Sequence, residues 1–222
     1  MDGFRYEQFC PLARSAELLG ERWTLLIVRE LFCGPQRFSD LLRRLPGLST
    51  SVLAQRLERM LARGLVARVD EPPPTPAALY RLTADGEALR PVLRELMRFG
   101  VRYLDPSKPE HLEPEWIGLG LEAFARSGPT PRRTIALRLP GGVCLRIRGG
   151  RSGTRVETGA GPAEVTLRAE PMAVLGLATG LVDPVEAVRS GAIAVEGDAR
   201  LLRDLPRLFE VKELMTREAP TG

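Results

Sequence analysis

Two domains are predicted, the first mainly helical with one β-hairpin, the second of α+β type with an antiparallel-rich sheet covered by helices. Three observations lead there. Apolar residues recur at helical spacing through the first hundred residues, interrupted by one pair of short strand patterns. The segment Asp105–Glu115, DPSKPEHLEPE, carries three prolines and no apolar period, the composition of a linker. Beyond it, period-two strand patterns alternate with helices. The boundaries drawn are residues 1–104, a linker at 105–114 and residues 115–222.

In the first domain, Leu12–Leu19 and Trp23–Phe32 have helical apolar spacing, with Gly20 between them and Gly34-Pro35 ending the second. A third short helix is expected over Phe38–Leu45 and is closed by Pro46-Gly47. Ser49 is placed as the N-cap of a fourth, which runs to Arg63 with Leu53, Leu57, Met60 and Leu61 on one side. Gly64 stops it, and a strand over Leu65–Val69 follows. A proline-rich tip, Glu71–Pro76, leads into a second strand, Leu79–Leu82. Thr83 caps a last helix to about Leu104, whose Leu89, Val92, Leu93, Leu96 and Phe99 share an apolar side.

In the second domain, Trp116–Arg126 reads as an amphipathic helix. Ile135, Leu137 and Leu139 alternate with polar or small residues, as do Val143, Leu145 and Ile147, and Gly141-Gly142 between them signals a hairpin. Two more strands fit Gly153–Thr158 and Ala163–Ala169. Helices fit Met172–Thr179 and Pro184–Arg189, then a strand Ala192–Val195 and a helix from Ala199 to Phe209. One sheet face is aliphatic. The other is rich in arginine and is read as solvated in preference to anion-binding.

Composition narrows the function. The 222 residues include no stretch near the roughly 20 apolar residues of a membrane span. The N-terminus lacks the basic start and apolar core of a secretory signal, so a cytoplasmic protein is expected. Three scattered cysteines and a single histidine, His111, make no metal-ligand pattern. No histidine lies beyond His111, no nucleophile has an evident base, and no Gly-rich phosphate loop opens a helix. Neither an enzyme nor a cofactor is expected. The net charge of +4 resides in residues 1–104, with 16 arginines against 12 acids, and seven arginines against Asp40 and Glu58 fall within residues 37–68. Such a segment can attract a phosphate backbone, although arginine is this chain's general solubilising cation, with only two lysines beside it.

Two short helices, a tight turn and a hairpin describe a winged helix-turn-helix, because the major groove admits one helix and the preceding helix fixes its angle. On the fourth helix, Thr50, Ser51, Ala54, Gln55 and Glu58 lie opposite the leucines, with Arg56 and Arg59 flanking them. Small polar residues at its first turn permit close approach. Gln55 suits adenine, and Arg56 suits guanine or phosphate.

The residues Cys10-Pro11, Gly20-Glu21-Arg22-Trp23, Arg37-Phe38-Ser39-Asp40-Leu41, Leu45-Pro46-Gly47-Leu48-Ser49, Gly64-Leu65-Val66-Ala67-Arg68 and Tyr80-Arg81-Leu82-Thr83 with Gly86 resemble the HxlR-type winged-helix regulators over about residues 9–104. The resemblance implies a homodimeric DNA-binding regulator held by its terminal helices on a near-palindromic duplex site, and the regulator is expected to act as a repressor. The DNA contacts it implies map to Arg37, Ser49, Thr50, Ser51, Gln55, Arg56, Arg59 and the wing residue Arg81. The acidic, proline-rich wing tip departs from the pattern and weakens wing contacts. Cys10 stands where some relatives carry a redox-sensing thiol. Arg14 lies one turn on, where a cation favours thiolate, whereas a buried structural cysteine is the other reading.

The run Ala163–Leu167, Leu175–Pro184, Ser190–Asp198 and Leu201, Leu202, Leu205 and Phe209 resembles the sterol carrier protein type-two fold over about residues 115–211. This implies a lipid-like or other hydrophobic effector in an apolar cavity lined by Trp116, Leu175, Leu177, Ile193 and Val195; an ordinary packed core is the alternative. Gly176 and Gly180 are expected to remove volume where the helices meet the sheet. A lipid carrier that uses its winged helix only for dimerisation or protein contacts is the competing function. DNA enrichment separates the two.

Overall fold

A proline opens the first helix, α1 (Pro11–Leu19), where a missing N–H costs nothing. The computed structural model describes residues 5–70, 78–105 and 111–211 and divides into two compact units, Met1–Leu93 and Arg94–Gly222. The wing tip Glu71–Pro76 and residues 106–110 of the expected linker lie outside the described residues. Among the described residues, no helix is long and apolar enough to cross a membrane.

In the first unit, α1 is followed by α2 (Thr24–Phe32), β1 (Gln36–Arg37), α3 (Phe38–Arg44), α4 (Thr50–Ala62), β2 (Val66–Asp70) and β3 (Ala78–Leu82). The helix expected from Trp23 begins one residue later. Trp23 sits outside it at φ 80°, ψ −21°, a left-handed backbone that costs a non-glycine residue about 1–3 kcal/mol. Its indole packs against the core, and the Arg22 guanidinium lies 5.2 Å from the ring centre. The core joins Ile27, Val28 and Leu31 of α2, Leu41 of α3, Leu53, Leu57 and Met60 of α4, and Leu65, Val66 and Leu82 of the hairpin. Fully burying each of these large side chains contributes about 1.5–3 kcal/mol.

The hairpin strands pair antiparallel, Val66 opposite Leu82, and the two-residue β1 adds a third strand, Arg37 opposite Leu79. Two residues leave no periodicity in the sequence from which β1 could be read. Thr83 caps α5 (Ala84–Glu87) by accepting from the Gly86 N–H, and its hydroxyl donates to the Gly64 carbonyl at 2.5 Å. Gly86 is packed so tightly that a Cβ there would lie 2.2 Å from the Leu65 carbonyl oxygen.

The single long helix expected after Thr83 is interrupted. It becomes α5, a turn, then α6 (Arg90–Gly100) and a 3-10 turn, Val101–Tyr103. Pro91 explains the break, because it has no N–H for the carbonyl one turn back. The break also divides the expected apolar side. Leu93 is buried and Leu89 packs on the first core, leaving Val92, Leu96 and Phe99 exposed.

One buried ion cluster crosses the first unit. Glu30 of α2 has no exposed surface and accepts from Arg29 at 2.7 and 3.0 Å, while Arg44 of α3 lies 3.8 Å from its other oxygen.

The second unit contains α7 (Trp116–Phe124), β4 (Thr134–Arg138), β5 (Cys144–Arg148), β6 (Arg155–Thr158), β7 (Val165–Ala169), α8 (Pro171–Thr179), α9 (Pro184–Arg189), β8 (Ile193–Gly197) and a 3-10 helix, Ala199–Leu208. The β4–β5 turn runs through Gly141 and Gly142 at φ 70° and 77°, a backbone that L side chains rarely adopt. The sheet order is β6-β5-β4-β7-β8. It is antiparallel except that β7 runs parallel to β4 at its centre, so the sheet is mixed. The β4–β5–β6 meander occupies one edge of β4, and the chain returns to lay β7 along the other.

Inward residues Ile135, Leu137, Leu145, Ile147, Val165 and Leu167 form one core with Ile117 and Leu121 of α7 and Val174 and Leu177 of α8. The last helix is 3-10 rather than α, and Pro206 lies inside it. Leu202, Leu205 and Leu208, all fully buried, are spaced by three, which aligns them on one side of a three-residue turn.

Candidate nucleic-acid interface

The start of α4 is set locally. Ser49 is extended, and its hydroxyl accepts from the Val52 N–H at 3.3 Å, as expected of an N-cap. Leu53, Leu57 and Met60 turn into the core. Thr50, Ser51, Ala54, Gln55 and Glu58 are exposed on the opposite side. The first two turns of α4 therefore present short polar side chains to solvent.

The arginines of α4 have partners within the unit that the sequence pattern does not show. Arg56 forms an ion pair with Glu21 at 2.6 Å and donates to the Arg22 carbonyl at 3.1 Å. Arg59 pairs with the same Glu21. Arg63 donates to the Glu17 carbonyl at 2.7 Å. All three reach back from α4 to the end of α1 and the turn before α2, holding the helix from behind. Arg44 belongs to the Glu30 cluster, and Arg43 lies 3.5 Å from Asp40. Much of the positive charge counted in residues 37–68 is therefore engaged inside the fold.

Glu21 is the residue that sequence reasoning missed. It stands in the Gly20–Trp23 motif, but nothing local reveals that its partners lie some 35 residues away. Of the other expected contacts, Arg37 is half-buried at the start of α3, and Arg81 is exposed on β3.

Cys10 is exposed and free just before α1. The Arg14 guanidinium expected beside it is paired with Glu17 at 2.6 Å. The Glu17 carboxyl lies below the ordinary carboxylate range, first because the Tyr6 N–H donates to it and then through Arg14.

In the second unit, Leu177 and Ile193 are buried in the core, with Leu175 and Val195 packed partly against it. Trp116 is half-buried at the start of α7, its ring edge-on to His111 at 5.6 Å. Gly176 and Gly180 do not open space against the sheet. A Cβ on Gly176 would lie 2.5 Å from Val182 and one on Gly180 3.4 Å from Pro206, so Gly176 packs on the loop after α8 and Gly180 on the 3-10 helix.

A short helix, a turn, an exposed polar helix anchored from behind, and an antiparallel hairpin define the first unit as a winged helix-turn-helix. A family model described as HxlR-like helix-turn-helix matches residues 18–108. The chain is 40% identical over 102 residues to the HTH-type transcriptional regulator YvaP of Bacillus subtilis, a match covering 45% of this chain and 94% of that protein. It is 36% identical over 107 residues to the HTH-type transcriptional regulator sll1512 of Synechocystis, covering 48% and 79%. The chain belongs to the HxlR-like helix-turn-helix family.

The solved structure of the reduced form of the transcriptional regulator YodB from B. subtilis is 33% identical, covering 46% of this chain and all of that one with a TM-score of 0.40. A second model, described as the SCP-2 sterol transfer family, matches residues 131–210.

Proposed function

We propose that this chain is a transcriptional regulator, a repressor that binds duplex DNA as a homodimer through the exposed start of α4. Residues 1–104 carry that function, and the second unit binds a hydrophobic effector. The observation that carries the reading is the division of labour on α4: Thr50, Ser51, Ala54 and Gln55 are exposed while Arg56, Arg59 and Arg63 fix the helix from behind. An N-terminal turn of small polar residues on a braced helix is what close approach to base edges requires.

In this reading Arg37, Ser49, Thr50, Ser51, Gln55 and Arg81 supply the DNA contacts. Arg56 and Arg59 orient the helix and meet phosphate only by exchanging Glu21 for it. The exposed Val92, Leu96 and Phe99 of α6 supply apolar surface for the second copy.

Footprinting on genomic fragments enriched by the protein tests this. Two protected half-sites about 10 bp apart, or a multiple of it, are expected. Gln55→Ala should weaken binding to that site by about 1–3 kcal/mol while leaving affinity for arbitrary DNA unchanged. The absence of salt-sensitive DNA binding in the wild type would overturn the proposal.

The SCP-2 match supports the effector. A fatty acid or sterol at 100 times its dissociation constant is expected to stabilise the full chain by about 2.7 kcal/mol. No thermal shift from any member of either class would reduce the second unit to a structural support.

A further inference from the structure

The outward face of the second unit's sheet carries arginine pairs that no solvated face requires. Ile117 and Leu121 of α7 and Val174 and Leu177 of α8 join the inward face of that sheet in a single core, and no outward strand residue belongs to it. The strand registers arrange the outward residues in rows. Arg148 stands opposite Arg155 in one row, and Arg138 opposite Arg168 in another. Between them runs a row with Glu157 at one end, then Arg146, Ala136 and Thr166, and Glu196 at the other.

Like charges directly opposite on neighbouring strands destabilise a sheet, and a face selected only for solubility interleaves its signs. Here two like-charged pairs are retained, each beside one shared carboxylate. Glu157 accepts from Arg146 and lies 3.9 Å from Arg148, while Glu196 pairs with Arg168 at 2.9 Å and lies 3.8 Å from Arg138. The Glu157 carboxyl is drawn below its ordinary range by the Arg146 hydrogen bond first, then by the charges of Arg148, Arg146 and Arg155. Within the strands two carboxylates answer five guanidiniums; Glu164, one residue before β7, adds a third beside Thr134, whose N–H donates to it, and the face keeps a net positive charge. Arg138, Arg148 and Arg168 keep 45%, 49% and 53% of their side-chain surface exposed.

We infer that this sheet face is a second DNA-binding surface, which grips the phosphate backbone of a duplex through Arg138, Arg148, Arg155 and Arg168 without reading its sequence. The inference rests on the reading of the first unit as a DNA binder. Guanidinium forks match phosphate oxygens in shape and charge. Ala136 and Thr166 in the row between the pairs, and Thr134 and Cys144 beside them, are small, so the long side chains on this face are the arginines and the two carboxylates. The outward strand positions hold no aromatic side chain on which a base of single-stranded nucleic acid would stack. Covalent linkage to a DNA-binding unit also raises the local concentration of a duplex over that of any other polyanion.

The test uses the full chain carrying Arg138→Gln, Arg148→Gln and Arg168→Gln together, titrated against the footprinted duplex and an arbitrary one over a salt series. Each lost phosphate contact removes about 0.9 from the slope of log affinity against log salt. The triple variant is therefore expected to lose about three from the slope on both duplexes, and at least about tenfold in low-salt affinity. The preference for the footprinted duplex should not change. Arg189→Gln, Arg200→Gln and Arg207→Gln, with the same change in net charge at exposed positions elsewhere, should leave the slope within about one of wild type. The corresponding triple lysine variant should retain the slope.

Singly, Arg148→Gln and Arg168→Gln should each lower the slope by about one, so a poorly folding triple variant leaves the question decidable. Wild-type slope and affinity in the glutamine variants would overturn the inference while leaving the first unit's role intact. So would phosphatidylserine vesicle binding that the variants lose while their DNA slope is unchanged, since the face would then serve a membrane. No salt-sensitive DNA binding by the wild type would instead defeat the reading on which the inference rests.

Discussion

Replacing Glu30 with alanine is expected to destabilise the first unit by about 3–5 kcal/mol, as removal of one partner from a buried ion pair does. Glu30 has no solvent exposure, and the side chains that face it, Arg29 and Arg44, are only 19% and 12% exposed. Their charges are compensated by this carboxylate, and hydration cannot readily replace it at that depth. The loss is comparable with the entire stability of many domains, so specific DNA binding should fail with it.

Glu30→Gln keeps an oxygen for the Arg29 hydrogen bonds and should cost less. The double variant Glu30→Ala, Arg44→Met should cost less than the sum of its parts, because the second change removes the charge that the first exposed. Urea denaturation of the full chain measures all three. A loss below about 1 kcal/mol for Glu30→Ala would place the cluster among weakly contributing surface pairs. High salt should rescue little of the loss, since buried charges are poorly screened.

Phe209→Ala is expected to cost the second unit about 3–5 kcal/mol. The ring is 1% exposed in a core that gathers α7, α8, the strands and the 3-10 helix. The backbone around it also closes the unit: Arg126 donates to the Leu208 carbonyl at 3.1 Å and Glu210 to the Phe124 carbonyl at 2.8 Å. For a unit of this size the loss corresponds to a fall in melting temperature of about 20 °C.

If residues 1–104 form a domain in their own right, calorimetry should show one transition moving and the other staying. Footprint specificity at a temperature where only the second unit has unfolded should then survive. A single transition that shifts as a whole would mean that the units unfold cooperatively and that the proposed division is wrong.

Local chemistry made much of this architecture readable. Ser49 and Thr83 act as caps because a hydroxyl three residues before a free N–H is a short-range arrangement, complete within one turn. Gly141-Gly142 makes the hairpin because the required backbone is rare for other residues. The burial of Leu53 and Leu57, and of Ile135 and Leu137, follows from spacing alone. Pro91 and Pro206 also carried local signals, a broken helix and a leucine repeat of three, which the wider apolar pattern obscured.

What remained for the tertiary structure was every feature whose partners are far apart in the chain. No periodicity states that β7 lies parallel to β4, because a strand's alternation is the same whichever way its neighbour runs. Glu21 and Arg56 meet across 35 positions, so no local pattern shows that Arg56 also braces α4. Arg138 and Arg168 face each other only through sheet register. The amino-acid sequence by itself determined the winged helix-turn-helix, the α+β unit behind it and the exposed polar start of α4, because each follows from contacts within one or two turns or strands. Only the tertiary structure decided which charges are spent inside the molecule and which remain outside, because a charged side chain's role depends on the partner that folding brings to it.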